Sequence, residues 1–342
     1  MNPKKRTTIQ DIAKALNTTI STVSRALQDH PRISVEMREK VKKYAREHDY
    51  QPDFRAASLR RGNANTIGVL VPRIDIHFFS KVLRGIDEVA SEKNYNVLIC
   101  QSFDSLKKEI KLIKNLIYGK IDGLIASISI ETQEGSHFEP LVKKGIPLVL
   151  FDKIIESMNV SKVVIDDHNG AYMAVKHLID NGCKRIGHFA GPQYLNIYKD
   201  RTLGYMDALK AHGMEVDESI IFHNMLVQSK GYETMEYMHK MKNPPDAIFS
   251  ANDFAVVGAI LKAKELGVRV PEDIAFTGFA NEPMDTIFDP PISSVEQNPI
   301  TMGQESARLL IEQMEDKKGD YASRTIVLKP SLVVRKSSLK GQ

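Results

Sequence analysis

Apolar residues near the start of the chain recur with a helical period. Ile9, Ile12, Ala13 and Leu16 fall at i, i+3, i+4 and i+7, which predicts a first helix with one apolar stripe. Thr8 followed by Asp11 reads as its capping box. Asn17-Thr18 ends that helix, and Thr19 is a good N-cap for a second over 20–28. In this second helix Val23, Ala26 and Leu27 face inward, while Ser21, Ser24, Arg25 and Gln28 share the opposite face. The loop at 29–32 closes it, and Ser34 caps a third helix with the stripe Met37, Val41, Tyr44, Ala45 and His48. Asp49-Tyr50-Gln51-Pro52 stops the third helix.

From Ile67 the pattern changes to short apolar runs: IGVLVP, YNVLICQ, IDGLIASI, IPLVLFD, SKVVID, RIGHFAG, DAIFSA and DIAFTGF. Helical stretches near 78–92, 105–118, 169–181, 200–212 and 253–266 separate several of them. Apolar runs without strict alternation, spaced by helices, predict parallel βαβ sheets buried on both faces. The series is internally duplicated. KIDGLIAS (120–127) matches PPDAIFSA (245–252) in type, and GIPLVLFD matches EDIAFTGF. Two similar α/β lobes follow, rather than one enlarged sheet. ISSVEQNPITMG, a helix over 301–315 and strands around 325–334 return between them. The expected domains are a head (1–51), a hinge helix and linker (52–65) and a two-lobed core (66–342). Lobe one is expected over about 66–160 plus 293–320, and lobe two over about 161–292 plus 321–342.

With 342 residues, 42% of them hydrophobic and 26% charged, the chain is too long for one ordinary domain and too apolar for disorder. No apolar run is long enough to span a membrane, and MNPKKRTTIQDIAKAL has no apolar segment behind its charges. A cytoplasmic protein without membrane partners is therefore expected. Two cysteines, Cys100 and Cys183, exclude a disulfide framework and point to reduced thiols.

Charge changes the picture more. Residues 1–61 hold 14 Lys/Arg against 7 Asp/Glu, whereas the remainder carries a net charge of −3. A basic three-helix head on a mildly acidic body suggests a helix-turn-helix meeting double-stranded DNA. There the second helix enters the major groove. Arg25 can offer guanine two parallel donors, and Ile20 can pack on a thymine methyl. Thr8, Thr19, Thr22 and Ser24 suit phosphates. Catalysis is not expected: Gly119-Lys120 lacks the upstream glycine and following hydroxyl of a phosphate loop. Neither His/Cys metal spacing nor a GxSxG elbow is present, so no metal or cofactor is expected.

TTIQDIAKAL, STVSRAL, the YQP…ASLR stretch and IGVLVP together resemble the lactose-repressor/galactose-repressor (LacI) family of bacterial transcription regulators, and the likeness runs out to SLVVRKSS. The resemblance implies a repressor with a periplasmic-binding-protein-like core, reading a palindromic operator as a homodimer. It implies that Ile20, Ser21 and Arg25 read bases. It also places Ala57, Ser58 and Leu59 in the hinge helix, with Leu59 wedged into the minor groove. So short a helix is unstable alone in water and needs DNA and a partner helix. Phe78, Phe79, Asp152, Arg201, Asn252 and Gln297 are implied to line the effector site between the lobes. One departure stands out: Ala280 occupies a position where the family commonly has aspartate. Less negative charge would then compete for Arg201, which suggests a sugar acid or phosphorylated sugar rather than a neutral sugar. Asp152 and Asp166-Asp167 oppose that expectation if they face the cleft. The ending VVRKSSLKGQ carries no leucine heptads, so a dimer rather than a tetramer is expected. Two other readings are the same fold controlled by a protein partner, and a sugar-binding protein without a DNA role.

Overall fold

The computed structural model describes residues 7–50, 64–224, 226–316 and 321–340. They divide into two units, a head up to Ala64 and a core from Asn65 onward. Three helices build the head: α1 (Ile9–Ala15), α2 (Ile20–Leu27) and α3 (Val35–Glu47). The expected caps form. Asp11 N–H donates to Thr8 Oγ1 at 3.3 Å while Thr8 N–H donates to Asp11 Oδ2 at 2.8 Å. Thr19 and Ser34 cap α2 and α3. Asn17, Asp29 and Asp49, each just past a helix, take left-handed φ values of 46°, 54° and 47°, a conformation that Asn and Asp tolerate better than most side chains. Ile12, Val23, Ala26 and Val41 are fully buried between the helices.

In the core, the first sheet has the order β11 (Thr325–Leu328), β5 (Ser161–Ile165), β4 (Leu148–Phe151), β3 (Gly123–Ala126), β1 (Thr66–Val71) and β2 (Asn96–Gln101). All its neighbours are parallel. The second sheet has the order β12 (Ser331–Val333), β10 (Ser293–Glu296), β9 (Ala275–Phe279), β8 (Ala247–Ser250), β6 (Ile186–Phe189) and β7 (Ile221–Phe222). Only β12 runs antiparallel there. β3 and β8 hold equivalent places, as do β4 and β9, which is the duplication legible in the sequence. Helices cover both faces. Ile67, Val69 and Val71 of β1 join one apolar cluster and Leu70 the other, which is why these strands show no polar alternation.

The helices of the core are α4 (His77–Glu92), α5 (Leu106–Tyr118), α6 (Glu139–Lys143), α7 (Asp167–Asp180), α8 (Asn196–Ala211), α9 (Gln228–His239), α10 (Asp253–Glu265), α11 (Met284–Ile287) and α12 (Pro299–Glu315). β7 and α9 had no counterpart in the sequence reading. β7 is only two residues long, and the buried positions of α9 (Gly231, Thr234, Met235, Met238) give a faint apolar signal.

The lobe boundaries differ from expectation. β5 pairs with β4 and β11 with β5, so 161–165 and 325–328 belong to lobe one. β10 pairs with β9, so 293–296 belong to lobe two. The chain lays down five strands of each six-stranded sheet before crossing, and the next helix packs on the opposite lobe: α7 against β9 and β10, α12 against β3, β4 and β5. The three crossovers are tied together. Asp166 N–H donates to Leu328 O at 2.9 Å, and Asn298 Nδ2 to Lys329 O at 3.0 Å.

Candidate functional site

Two surfaces carry the candidate side chains. On the head, α2 buries Val23 and Ala26 and leaves Ser21, Arg25 and Gln28 exposed, with Ile20 42% exposed. The backbone oxygen of Arg25 accepts from Gln28 and His30 N–H, but its side chain has no hydrogen bond or ion pair among the described residues, so its guanidinium is available to a ligand. Thr19 Oγ1 accepts from Thr22 N–H at 3.1 Å and lies 2.8 Å from Ser21 Oγ, fixing the first turn of α2. No acidic side chain occupies that turn, and its amide ends favour a phosphate. The four hydroxyl residues differ. Thr19 is exposed, Thr22 and Ser24 are half-buried, and exposed Thr8 directs its hydroxyl to Asp11 Oδ2 at 2.6 Å. Ala57, Ser58 and Leu59 lie outside the described residues.

The second surface lies between the lobes, where the carboxyl ends of both sheets face each other. Lobe one contributes Phe78 and Phe79 from the first turn of α4. Their rings meet edge-on at 5.1 Å, and Phe79 meets Phe151 at 6.3 Å. Asp152 follows β4 directly with a left-handed φ of 57°. Only Ser127 Oγ, at 3.3 Å, donates to its side chain among the described side chains. Burial raises the Asp152 carboxyl above its ordinary range, against the pull of Lys153 and Arg201. Lys153 itself reaches Asp104 Oδ1 at 3.2 Å.

From lobe two, Arg201 projects off α8 and is 3% exposed. Its Nε and Nη2 lie 2.8 and 2.7 Å from Asp167 Oδ1, and Nη1 donates to Ala251 O at 2.7 Å. Phe279 stacks beneath the guanidinium at 3.6 Å. Burial pushes Asp167 up to about 7 despite this partner. Gly204 makes the pairing possible, because a Cβ there would sit 2.1 Å from His168 O. Tyr198, one turn before Arg201, is half-buried amid Asp152, Asp104 and Asp167, and burial pushes its phenol up to about 12. Asn196 staples the lobes: its Nδ2 donates to Asp152 O at 3.0 Å and its Oδ1 accepts from Ile154 N–H at 2.9 Å.

The structure therefore brings Phe78, Phe79, Asp152 and Arg201 to one cleft. Gln297, at the second crossover, is 4% exposed, and its Oε1 has no partner among the described residues. Asn252 behaves differently: its Oδ1 accepts from Phe254 N–H at 2.8 Å and caps α10. Sequence reasoning missed Tyr198, Lys153 and Asn196, and named Asp167 only as a carboxylate that would oppose an acidic effector if it faced the cleft. Tyr198 was within reach, since i and i+3 share a helix face, but α8 was expected to start only at 200. The premise for an acidic effector fails here. Ala280 brings no carboxylate, yet Asp167 supplies one directly to Arg201.

Residues 8–53 match the family of bacterial regulatory proteins, lacI family, and residues 175–338 match the periplasmic binding protein-like domain. The HTH-type transcriptional repressor CytR of Escherichia coli (strain K12) is 32% identical over 331 residues, covering 97% of this chain and 96% of CytR. The chain belongs to the lacI family. As a lacI-family protein it is a DNA-binding transcription regulator and not an enzyme. Among solved structures, the complex of the transcriptional regulator CelR with cellobiose matches with a TM-score of 0.73 at 27% identity, over 97% of this chain and 100% of CelR. The lac repressor dimer bound to operator and the anti-inducer ONPF shares the fold, with a TM-score of 0.85 at 22% identity over 98% of this chain and 100% of that one. No helix among the described residues is long and apolar enough to cross a membrane.

Proposed function

We propose that this lacI-family regulator is a cytoplasmic repressor that binds a palindromic operator as a homodimer, and that a sugar held between the core lobes controls this binding. The row of Ile20, Ser21 and unpartnered Arg25 on the exposed face of α2 carries the DNA reading. Ile20 and Arg25 supply apolar and bidentate contacts to base edges, while Thr19 and the amide end of α2 suit a phosphate. The resemblance of the core to the CelR–cellobiose complex supports a sugar in the cleft. Pairing supports operator affinity, because one small head on a half-site binds weakly and two-fold symmetry doubles the contact.

Arg25→Ala is expected to weaken binding to the selected operator by roughly 10- to 100-fold, the loss of one bidentate base contact. Binding to unrelated DNA should change little, because phosphate contacts dominate there. Gel shifts on both DNAs at fixed salt measure the two affinities. Equal operator affinity for wild type and variant would remove Arg25 from the reading face.

A further inference from the structure

We infer that Asp167 sets the charge selectivity of the cleft: by neutralising Arg201 it makes the site accept uncharged, hydroxyl-rich ligands and refuse anionic ones. This rests on the reading of the cleft as the effector site.

The geometry comes first. All three guanidinium nitrogens of Arg201 are engaged, Nε and Nη2 by Asp167 Oδ1 and Nη1 by Ala251 O. One face of the group is covered by Phe279. A carboxylate or phosphate arriving here finds the Nε–Nη2 edge already taken by a carboxylate. The other buried cation near the cleft is claimed too: Lys153 lies 3.2 Å from Asp104. What is left over is acceptor capacity. Asp152 has a single side-chain donor in Ser127, and the Oε1 of Gln297 has none among the described residues.

An anion entering this site would lose its hydration beside Asp152, Asp167 and Asp104, where both buried cations, Arg201 and Lys153, are already paired. A neutral polyol fits the same groups. Its hydroxyls donate to Asp152 and accept from the remaining N–H groups of Arg201 and from the Tyr198 hydroxyl. Asp167 touches Arg201 rather than ligand in this scheme, so it is a positioning residue.

Inorganic sulfate is the direct probe, because it stays dianionic across the pH range used. In thermal melts of the full-length protein at pH 8, sulfate should stabilise wild type no more than it stabilises Arg201→Gln, which shows the ion's general salting-out effect without the guanidinium; only a gain beyond that reference counts as sulfate-specific. Asp167→Asn keeps the shape and an acceptor oxygen but frees the charge of Arg201, so sulfate should raise its melting temperature by several degrees. Adding Arg201→Gln should abolish the gain. Should Asp167→Asn fail to fold, the wild type supplies a second measurement. Asp167 is faced by Arg201, Asp152, Asp200 and Tyr198, and it titrates at about 7. Lowering the pH to 6 protonates it, so a sulfate-specific gain should appear at pH 6 and vanish at pH 8. A sulfate-specific gain in wild type at pH 8 overturns the assignment, and so does its absence in a folded Asp167→Asn. A parallel panel pairs ribose with ribose 5-phosphate and glucose with gluconate. Stronger stabilisation by the acidic members also overturns the assignment. If no sugar alters melting or operator binding while sulfate behaves as stated, the effector reading fails and the role of Asp167 stands.

Discussion

Asp285→Asn is expected to raise the melting temperature at pH 8 by several degrees and to leave it nearly unchanged at pH 4. Asp285 and Asp253 are both fully buried, and burial raises both carboxyls; the charge of Asp253 raises Asp285 further, whereas a hydrogen bond from Asp285 pulls Asp253 down. Asp253 accepts from Ser294 Oγ at 2.7 Å and from Glu282 N–H at 3.2 Å, so it is the better place for the negative charge. Asp285 has no such donors among the described residues and holds its proton well above the ordinary carboxylate range, although nearby Arg335 opposes this. In the unfolded chain an aspartate ionises near pH 4, so folding at pH 8 must bind a proton. The cost grows by about 1.4 kcal/mol per pH unit above that point, and about 3 kcal/mol is a fair expectation once relaxation is allowed. Asparagine offers an N–H donor to Asp253 and needs no proton, so its advantage appears only as the pH rises. Asp167 and Glu282, both pushed up to about 7 by burial, act in the same direction. Their contribution to wild-type stability is complete below about pH 4 and declines as the pH rises towards 7. A variant less stable than wild type at pH 8 would show that Asp285 is ionised in the folded protein.

The second large effect concerns helix approach. Gly204→Ala should lower stability by about 3 kcal/mol, the upper end of overpacking costs, because its Cβ would meet the His168 backbone oxygen at 2.1 Å. Neither atom lies on a flexible side chain, so α7 and α8 must separate. Asp167, adjacent to His168, then loses its place beside Arg201. Sugar-dependent control of operator binding should disappear together with the stability. Gly213→Ala is the matched control. Gly213 has a φ of 68° but nothing within 4 Å of an added Cβ, so only backbone strain of about 1 kcal/mol is expected. Equal losses in the two variants, read by chemical denaturation, would refute the close-approach explanation.

These cases show what the sequence could and could not reveal. The reading face of α2 was legible because a helix with Val23 and Ala26 inside must turn Ser21 and Arg25 outward. The βαβ core was legible because strands buried on both faces leave unbroken apolar runs. Sheet membership of 161–165, 293–296 and 325–328 was not, since a short β-branched run has the same appearance on either side of a crossover. Arg201 could be marked, but its partner lies on another helix 34 positions away, and no local pattern pairs them. Asn252 was marked as a ligand contact, although its place before an apolar helix also suits a cap, which is how its oxygen is used. The Asp253, Glu282 and Asp285 cluster left no trace at all. Isolated acids ordinarily read as solvated surface, and only the turn after β9 brings Glu282 and Asp285 in against Asp253 at the start of α10.

The strand order also dictates where bending at the three crossovers becomes visible. β5 and β11 stand at one margin of the first sheet and β10 and β12 at the corresponding margin of the second, whereas β2 and β7 stand at the far margins. A rotation about that shared axle displaces each strand in proportion to its distance from it. The outer rims therefore sweep furthest while the tethered side scarcely travels. Leu98 and Ile99, 46% and 48% exposed on β2, ride on such a rim, so a small adjustment around a bound sugar is magnified at these greasy side chains.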